Sequence, residues 1–432
     1  MREGHASRFL RDNPPMQEGP VIALVDGEHH PAAVRQALDA LDAERGVAAA
    51  IFCGGEEKVG TEVLADPEAH YGRALALGLA PAAALRRLVA DGTDARAVVD
   101  LADEPVLPAR ARLRLAALAL HLGLAYEAPG MWLASPRYER LCYAGPKLAV
   151  IGTGKRTGKT AVAGHWAGLL RGAGLAPVIV SMGRGGPAEP TLAEPGTSLE
   201  RLLEIAAAGF HAASDHLEAA VLAGVPAIGC RRVGGGLAGQ PALSNVAAGA
   251  ALACSLEPAA IVFDGSGACI PPVEVDRTVC VVGDRAGALG ELGPYRLLRA
   301  DLALVPGDCA FVAEVAELAP RVVRFALSPE PAAPVPAGSR VAVFSTGGPP
   351  PAGLAAIVAS VNLSRRGALL SDLARARAER CDVYLTELKA AAIDTVAIHA
   401  RAAGARVVFL RNRPVGLDSD LDSELLRLYE QA

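Results

Sequence analysis

Along most of the chain, short runs of β-branched and apolar residues alternate with longer stretches in which Ala, Leu and Arg recur at helical spacing. Apolar runs bounded by Gly, Pro and Asp predict strands buried on both faces, and the amphipathic stretches between them predict the helices that cover those faces. The first series is VIALVD (21–26), VAAAIFC (47–53) and ARAVVDL (95–101), punctuated at Gly54-Gly55 and Pro67. It closes with the helix-like RARLRLAALALHLGLA and a loop-rich connector, EAPGMWLASPRYERLCYAGP (127–146), which predicts a domain boundary near residue 140.

A second series opens at KLAVIGTG (147–154). It continues through APVIVSM, AAIVFDG, RTVCVVG, ADLALVP, RVVRFAL, RVAVFST, CDVYLTE and ARVVFLRN, the last ending at residue 412. The Pro-rich SPEPAAPVPAGS (328–339) reads as a surface loop or a hinge, with RVAVFST able to continue the same sheet. The pattern is that of an α/β protein: a smaller Rossmann-like α/β domain over 1–140, then a larger, mostly parallel sheet over 141–432.

Composition narrows the functional classes. At 432 residues, 51% hydrophobic and 21% charged, the chain has ample material for sizeable cores and is not a disordered one. With 42 basic against 47 acidic side chains, a net charge of −5 supplies no broad basic face for nucleic acid. Only 4% of residues are aromatic, too few for a stacking platform. The longest apolar runs, such as 246–256, reach about half of the ~20 residues that span a bilayer, so no membrane partner is expected. The opening MREGHASRFLRDNPPM mixes both charges without an apolar core and reads as a frayed tail, not a secretion signal. Eight cysteines without a C-x-x-C pair read as reduced, mostly buried thiols of a cytoplasmic protein. His211 and His216, five apart, have the wrong spacing for a metal pair on one helical face. The composition is compatible with a homodimer.

The chemistry concentrates at strand ends. GTGKRTGKT (152–160) follows an apolar strand and opens a helical run, the context of a phosphate-binding loop. Gly152, Gly154 and Gly158 let backbone amides turn inward, and the helix directs its positive end at the anion. Lys159 reaches β/γ oxygens and Thr160 offers a hydroxyl to Mg²⁺. The usual spacing would put a glycine where Thr153 stands. Lys155, Arg156 and Thr157 complete the loop, and two cations beyond Lys159 exceed what one nucleotide needs.

Asp264, ending AAIVFDG before G-S-G, is either a Mg²⁺ partner or the head of an Asx-type turn. Arg184, set among glycines in MGRGGP, suits a phosphate or carboxylate. Arg231 and Arg232 precede a glycine-rich segment, either as further anion contacts or as a solvated loop. Asp26, Glu28 and His29 in VDGEHHP stand at a strand-to-helix edge, facing a ligand or capping the helix. Glu387 and Lys389 end CDVYL, Lys389 as a phosphate contact or a snorkelling surface lysine.

Taken together, DGEH, GTGKRTGKT, MGRGGP, GGGLAG, FDGSGACIPP and ELKAAAID resemble the cyclic 2,3-diphosphoglycerate synthetase family over nearly the whole chain. The loop also resembles the longer phosphate loop of dethiobiotin synthetase-like ligases, in which a G-T pair opens the loop. The resemblance implies a P-loop NTPase-type catalytic domain that uses ATP and Mg²⁺ to close an intramolecular phosphoanhydride in 2,3-bisphosphoglycerate. It implies residues 152–160 for ATP, Thr160 and Asp264 for Mg²⁺, and Lys159, Lys155 and Arg184 in catalysis. Arg184, Arg231, Arg232, Lys389, Asp26, Glu28 and His29 are then substrate contacts, with Asn412 and Pro414 reading adenine. A kinase of a small phosphorylated acid and a nucleotide switch or metallochaperone are the alternatives.

Overall fold

A computed structural model describes residues 19–432; the tail-like opening sequence lies outside them. The chain forms two compact units. Among the described residues, one holds 19–136 together with Arg285–Arg299, and the other holds Arg137–Asp284 and Ala300–Ala432. The chain thus passes between units more than once.

The first unit is built on five strands, β1 (Val21–Val25), β2 (Val47–Phe52), β3 (Ala97–Asp100), β4 (Ala125–Ala128) and β5 (Met131–Leu133), in the order 2-1-3-4-5. β1 to β4 pair in parallel and β5 returns antiparallel to β4. Every residue of β1 is buried, which accounts for its unbroken apolar sequence. The loop-rich connector therefore contains a small hairpin, turned at Pro129-Gly130 with Gly130 at φ +75°. Its strands are too short to show a period in the sequence. The helix Gly293–Leu298 packs on Ala109–His121 within this unit.

The second unit carries thirteen strands: β6 (Lys147–Gly152), β7 (Pro177–Gly183), β8 (Thr191–Ala193), β9 (Ala227–Val233), β10 (Leu243–Ser244), β11 (Ala260–Asp264), β12 (Arg277–Val281), β13 (Leu302–Pro306), β14 (Val322–Pro331), β15 (Val341–Phe344), β16 (Ala356–Ser360), β17 (Val383–Glu387) and β18 (Arg406–Gly416). They form one sheet in the order 10-9-7-11-6-12-13-14-18-17-15-16, with β8 also on β9. From β9 to β14 the neighbours are parallel, and so are β18, β17, β15 and β16. The two parallel blocks meet at the antiparallel pair β14·β18.

That pair decides where a ligand can go. β14 follows β13 only as far as Phe325, then continues with β18 to Pro331. Part of the Pro-rich stretch is therefore strand, and prolines at alternate positions 329 and 331 are compatible with a ladder on one side only. Because the blocks run in opposite directions and are offset along this ribbon, loops from the carboxyl ends of both face one space. Helix Lys159–Gly172 buries Val162, Ala163, Trp166, Ala167 and Leu170, the i, i+4, i+8 stripe expected of a helix laid on a sheet. Its first turn is thereby fixed at the end of β6.

Among the described residues no helix is long and apolar enough to cross a membrane. Five of the eight cysteines are buried, whereas Cys142 is exposed, unlike the apolar setting expected of most of them.

Candidate active site

The space between the two blocks is a cavity of about 790 Å³. Five strand-end loops line it: residues 155–161 after β6, 183–186 after β7, 265–267 after β11, 345–349 after β15, and Glu387 with Lys389 at the end of β17. Leu327 and Pro329 of β14 and Leu410 and Asn412 of β18 form a further wall, each pair two residues apart and so on one face of its strand.

The loop after β6 is shaped by its glycines. Gly158 has φ +100°, and a Cβ there would also lie 3.1 Å from Leu327. Gly152 leaves no room either, since a Cβ would meet Lys159 Cδ at 2.9 Å and Val281 O at 3.0 Å. Thr153, at the position of the usual first glycine, is buried and anchors the loop from behind. Its amide donates to Val281 O (3.2 Å) and its Oγ1 accepts from Gly283 N (2.8 Å). Lys155 and Arg156 are exposed, without a partner among the described residues, and line the cavity.

Lys159 is buried, its Nζ donating to Gly154 O (2.7 Å) and Thr157 Oγ1 (3.2 Å). Burial holds its pKa below the usual value, with Asp264 pulling the other way. Asp264 is 1% exposed and its Oδ1 has no hydrogen-bond partner. Burial, reinforced by Asp215, pushes that carboxyl up to about 8, while the Thr160 hydroxyl and Lys159 pull it down. An orphaned carboxylate oxygen beside a threonine hydroxyl at a phosphate loop suits Mg²⁺, which binds through one or two carboxylates plus phosphates and water. Among the described residues no group of three or more His, Cys, Asp or Glu could hold a metal ion by itself.

Arg184 is exposed, unpaired among the described residues, and lines the cavity. Arg232 is not so placed. It is buried, with Nη1 donating to Gly234 O (2.6 Å) and Nη2 to Ser266 O (2.8 Å), so it staples β9 to the loop after β11. Arg231 and Arg232 belong to β9, not to a loop, and neither lines the cavity. Lys389 does line it but is paired with Glu218 Oε1 at 3.3 Å. This pairing holds the Lys389 ammonium well above its ordinary pKa, whereas burial pushes Glu218 up to about 7.

Asn412 borders both this cavity and a second one of about 250 Å³ that also takes in Gly164, Leu222 and Pro414. Its Nδ2 donates to Glu387 Oε1 at 2.8 Å.

In the first unit, Asp26 is fully buried and organises its own turn. Its Oδ1 accepts from the amides of Glu28 (3.1 Å) and His29 (3.2 Å) and meets His29 Nδ1 (2.8 Å), and its Oδ2 accepts from Asp103 N (2.6 Å). Glu28 pairs with Lys58. The following helix is capped by His30, not by Asp26 or Glu28.

Several lining residues escaped the sequence reading. Asp215 stands in the first turn of a helix, where an acid passes for an N-terminal charge, and His216 beside it is weighed there only for a metal pair with His211. Burial lowers the pKa of His216 to about 4. Ser181, buried with an unpartnered Oγ, lies in β7 two residues before its end. Ser345-Thr346-Gly347-Gly348 had a readable signal, a polar Gly-Gly turn directly after an apolar run.

Three family models match the chain: the N-terminal domain of cyclic 2,3-diphosphoglycerate synthetase over residues 20–134, its P-loop domain over 147–317 and its C-terminal domain over 352–413. Proteins named cyclic 2,3-diphosphoglycerate synthetase are similar over nearly their full length. That of Rubrobacter xylanophilus is 43% identical, covering 95% of this chain and 97% of its own. That of Thermococcus gammatolerans is 39% identical, covering 94% and 96%, and that of Methanothermobacter thermautotrophicus is 34% identical, covering 95% and 96%. With a phosphate loop, a buried acid beside it and this end-to-end similarity, the chain belongs to the cyclic 2,3-diphosphoglycerate synthetase family.

Proposed function

We propose that the protein closes an intramolecular phosphoanhydride between the two phosphates of 2,3-bisphosphoglycerate, converting ATP to ADP and phosphate. The observation that carries this reading is a single cavity lined by residues 155–160 of the phosphate loop and by Arg184, in which Lys155, Arg156 and Arg184 are three cations with no protein partner among the described residues. ATP alone needs one loop lysine; a second polyanion accounts for the rest.

In this reading the γ-phosphoryl passes to an oxygen of one substrate phosphate, breaking the bond to ADP. An oxygen of the other phosphate then attacks the inner phosphorus in line and expels inorganic phosphate. Both nucleophiles are already anionic, so positioning and charge neutralisation outweigh general-base catalysis. In the same reading Lys159 meets the β and γ oxygens, and Lys155 and Arg184 gather the substrate phosphates. Thr160 and Asp264 would hold Mg²⁺, which supplies charge neutralisation on the phosphates when bound. The adenine occupies the 250 Å³ cavity. Because Glu387 engages the Asn412 amide nitrogen, Asn412 Oδ1 is left to accept from the exocyclic amine. A supply of ATP and Mg²⁺ places the reaction in the cytoplasm.

The product tests the reading. Phosphorus NMR of enzyme, ATP, Mg²⁺ and 2,3-bisphosphoglycerate should show two coupled anhydride signals growing with free phosphate. A triphosphorylated product without phosphate release would replace it with a kinase. Arg184→Lys keeps the charge and loses the bidentate fork. It should raise KM for bisphosphoglycerate by roughly tenfold and leave KM for ATP nearly fixed. If both rise together, Arg184 serves the nucleotide.

A further inference from the structure

The loop after β15 faces the phosphate loop across the cavity and has no role in the reading above. Gly347 and Gly348 are exposed to the cavity, and among the described residues neither amide N–H has a partner. Gly348 sits at φ +82° and no atom lies within 4 Å of where its Cβ would be, so glycine is kept there for backbone conformation and not for want of space. The loop is held firmly at its base. Glu387, 6% exposed, accepts from Thr346 N (2.8 Å) and Thr346 Oγ1 (2.6 Å) through Oε2, and from Asn412 through Oε1. Ser345 is tied to Ser360 O through its amide at 2.9 Å.

A buried carboxylate that receives three donors fixes Thr346, and with it the direction of the two amides that follow. Consecutive amides free at a glycine turn form a concavity for an oxyanion. We infer that Gly347 and Gly348, positioned by the Glu387–Thr346 contact, form a second phosphate site that takes a phosphate of the acceptor substrate while the loop after β6 takes those of ATP. The inference rests on the proposed reading for the identity of that substrate, but not for the chemistry of the site, which is recognition of a phosphate oxyanion. Lys389 at the adjoining strand end offsets the negative charge of Glu387 toward the cavity.

The test is calorimetric titration of the full chain with Mg²⁺·ADP, with 2,3-bisphosphoglycerate, and with inorganic phosphate in the presence of saturating Mg²⁺·ADP. Gly348→Ala forces an L side chain into the left-handed region and turns the amides away. It should weaken bisphosphoglycerate roughly tenfold, the equivalent of one charge-assisted hydrogen bond, with Mg²⁺·ADP unchanged. Should Gly348→Ala fold poorly, Thr346→Val and Thr346→Ser replace it. The valine removes the hydroxyl bond to Glu387 and should reproduce the loss, while the serine keeps the hydroxyl and should restore binding. Equal weakening of Mg²⁺·ADP, or no change with any variant, overturns the inference. If wild type ignores bisphosphoglycerate yet binds inorganic phosphate in a Gly348-dependent manner, the substrate assignment falls and the second site stands.

Discussion

Lys159→Ala is expected to lower kcat by the ~10²–10³ typical of deleting one preorganised electrostatic contact, with little change in thermal stability. The ammonium is held at the mouth of the loop by Gly154 O and Thr157 Oγ1, so it is already aimed before nucleotide arrives. Its burial, which depresses its pKa in the free protein, is what makes it effective toward phosphate oxygens in a site of low dielectric. Lys159→Arg should not rescue, because the loop is packed around the methylene stem, with a Cβ at Gly152 coming 2.9 Å from Lys159 Cδ. A planar guanidinium on this stem does not reproduce the ammonium's paired donations to Gly154 O and Thr157 Oγ1. Steady-state turnover with saturating ATP and bisphosphoglycerate checks this, alongside a melting curve for each variant. An alanine variant that keeps more than half its turnover would remove Lys159 from the mechanism.

The phosphate loop was legible because its chemistry is local: nine consecutive residues carry the glycines, the cation, the hydroxyl and the helix start. The parallel strands were legible for the same reason, each being a short apolar run between turn residues. What was hidden depends on pairings between distant segments. β9 reads as a loop because C-R-R-V runs straight into glycines, and only pairing with β7 makes it a strand and turns Arg232 toward backbone carbonyls. The Pro-rich segment hides the end of β14, and with it the ribbon that brings the carboxyl ends of two sheet blocks to one cavity. That is why the Gly-Gly turn at 347–348 could not be placed opposite Lys159 from sequence. Asp215 and Glu218 were missed because acids in a first turn are ordinary on a solvated helix, and here that turn is buried beside two lysines.

Asp264→Asn should have opposite effects on stability and on catalysis. In the free protein the carboxyl titrates at about 8 against an ordinary 3.8, so between those values the unfolded chain binds fewer protons than the folded one. Stability therefore falls as pH rises through that window, and the deficit is complete above about pH 8. Glu218, raised to about 7, and Asp215, raised by burial, act in the same sense and remain in the variant. Replacing Asp264 by a neutral amide removes its share. The variant should melt within error of wild type near pH 4 and clearly higher at pH 8.5, because a neutral amide carries none of the cost of ionising a buried carboxyl. Adding Mg²⁺·ADP should reverse the order, because the orphaned Oδ1 gains a cation in wild type and has none to gain in the amide. Turnover should fall by about 10² or more, as expected on losing a charged oxygen from a phosphoryl-transfer metal site. Melting curves from pH 4 to 8.5 with and without Mg²⁺·ADP, beside steady-state rates, make the comparison. If the amide variant is no more stable than wild type at pH 8.5 without ligand, the carboxylate is already satisfied by its protein neighbours, and its assignment as the magnesium partner is wrong.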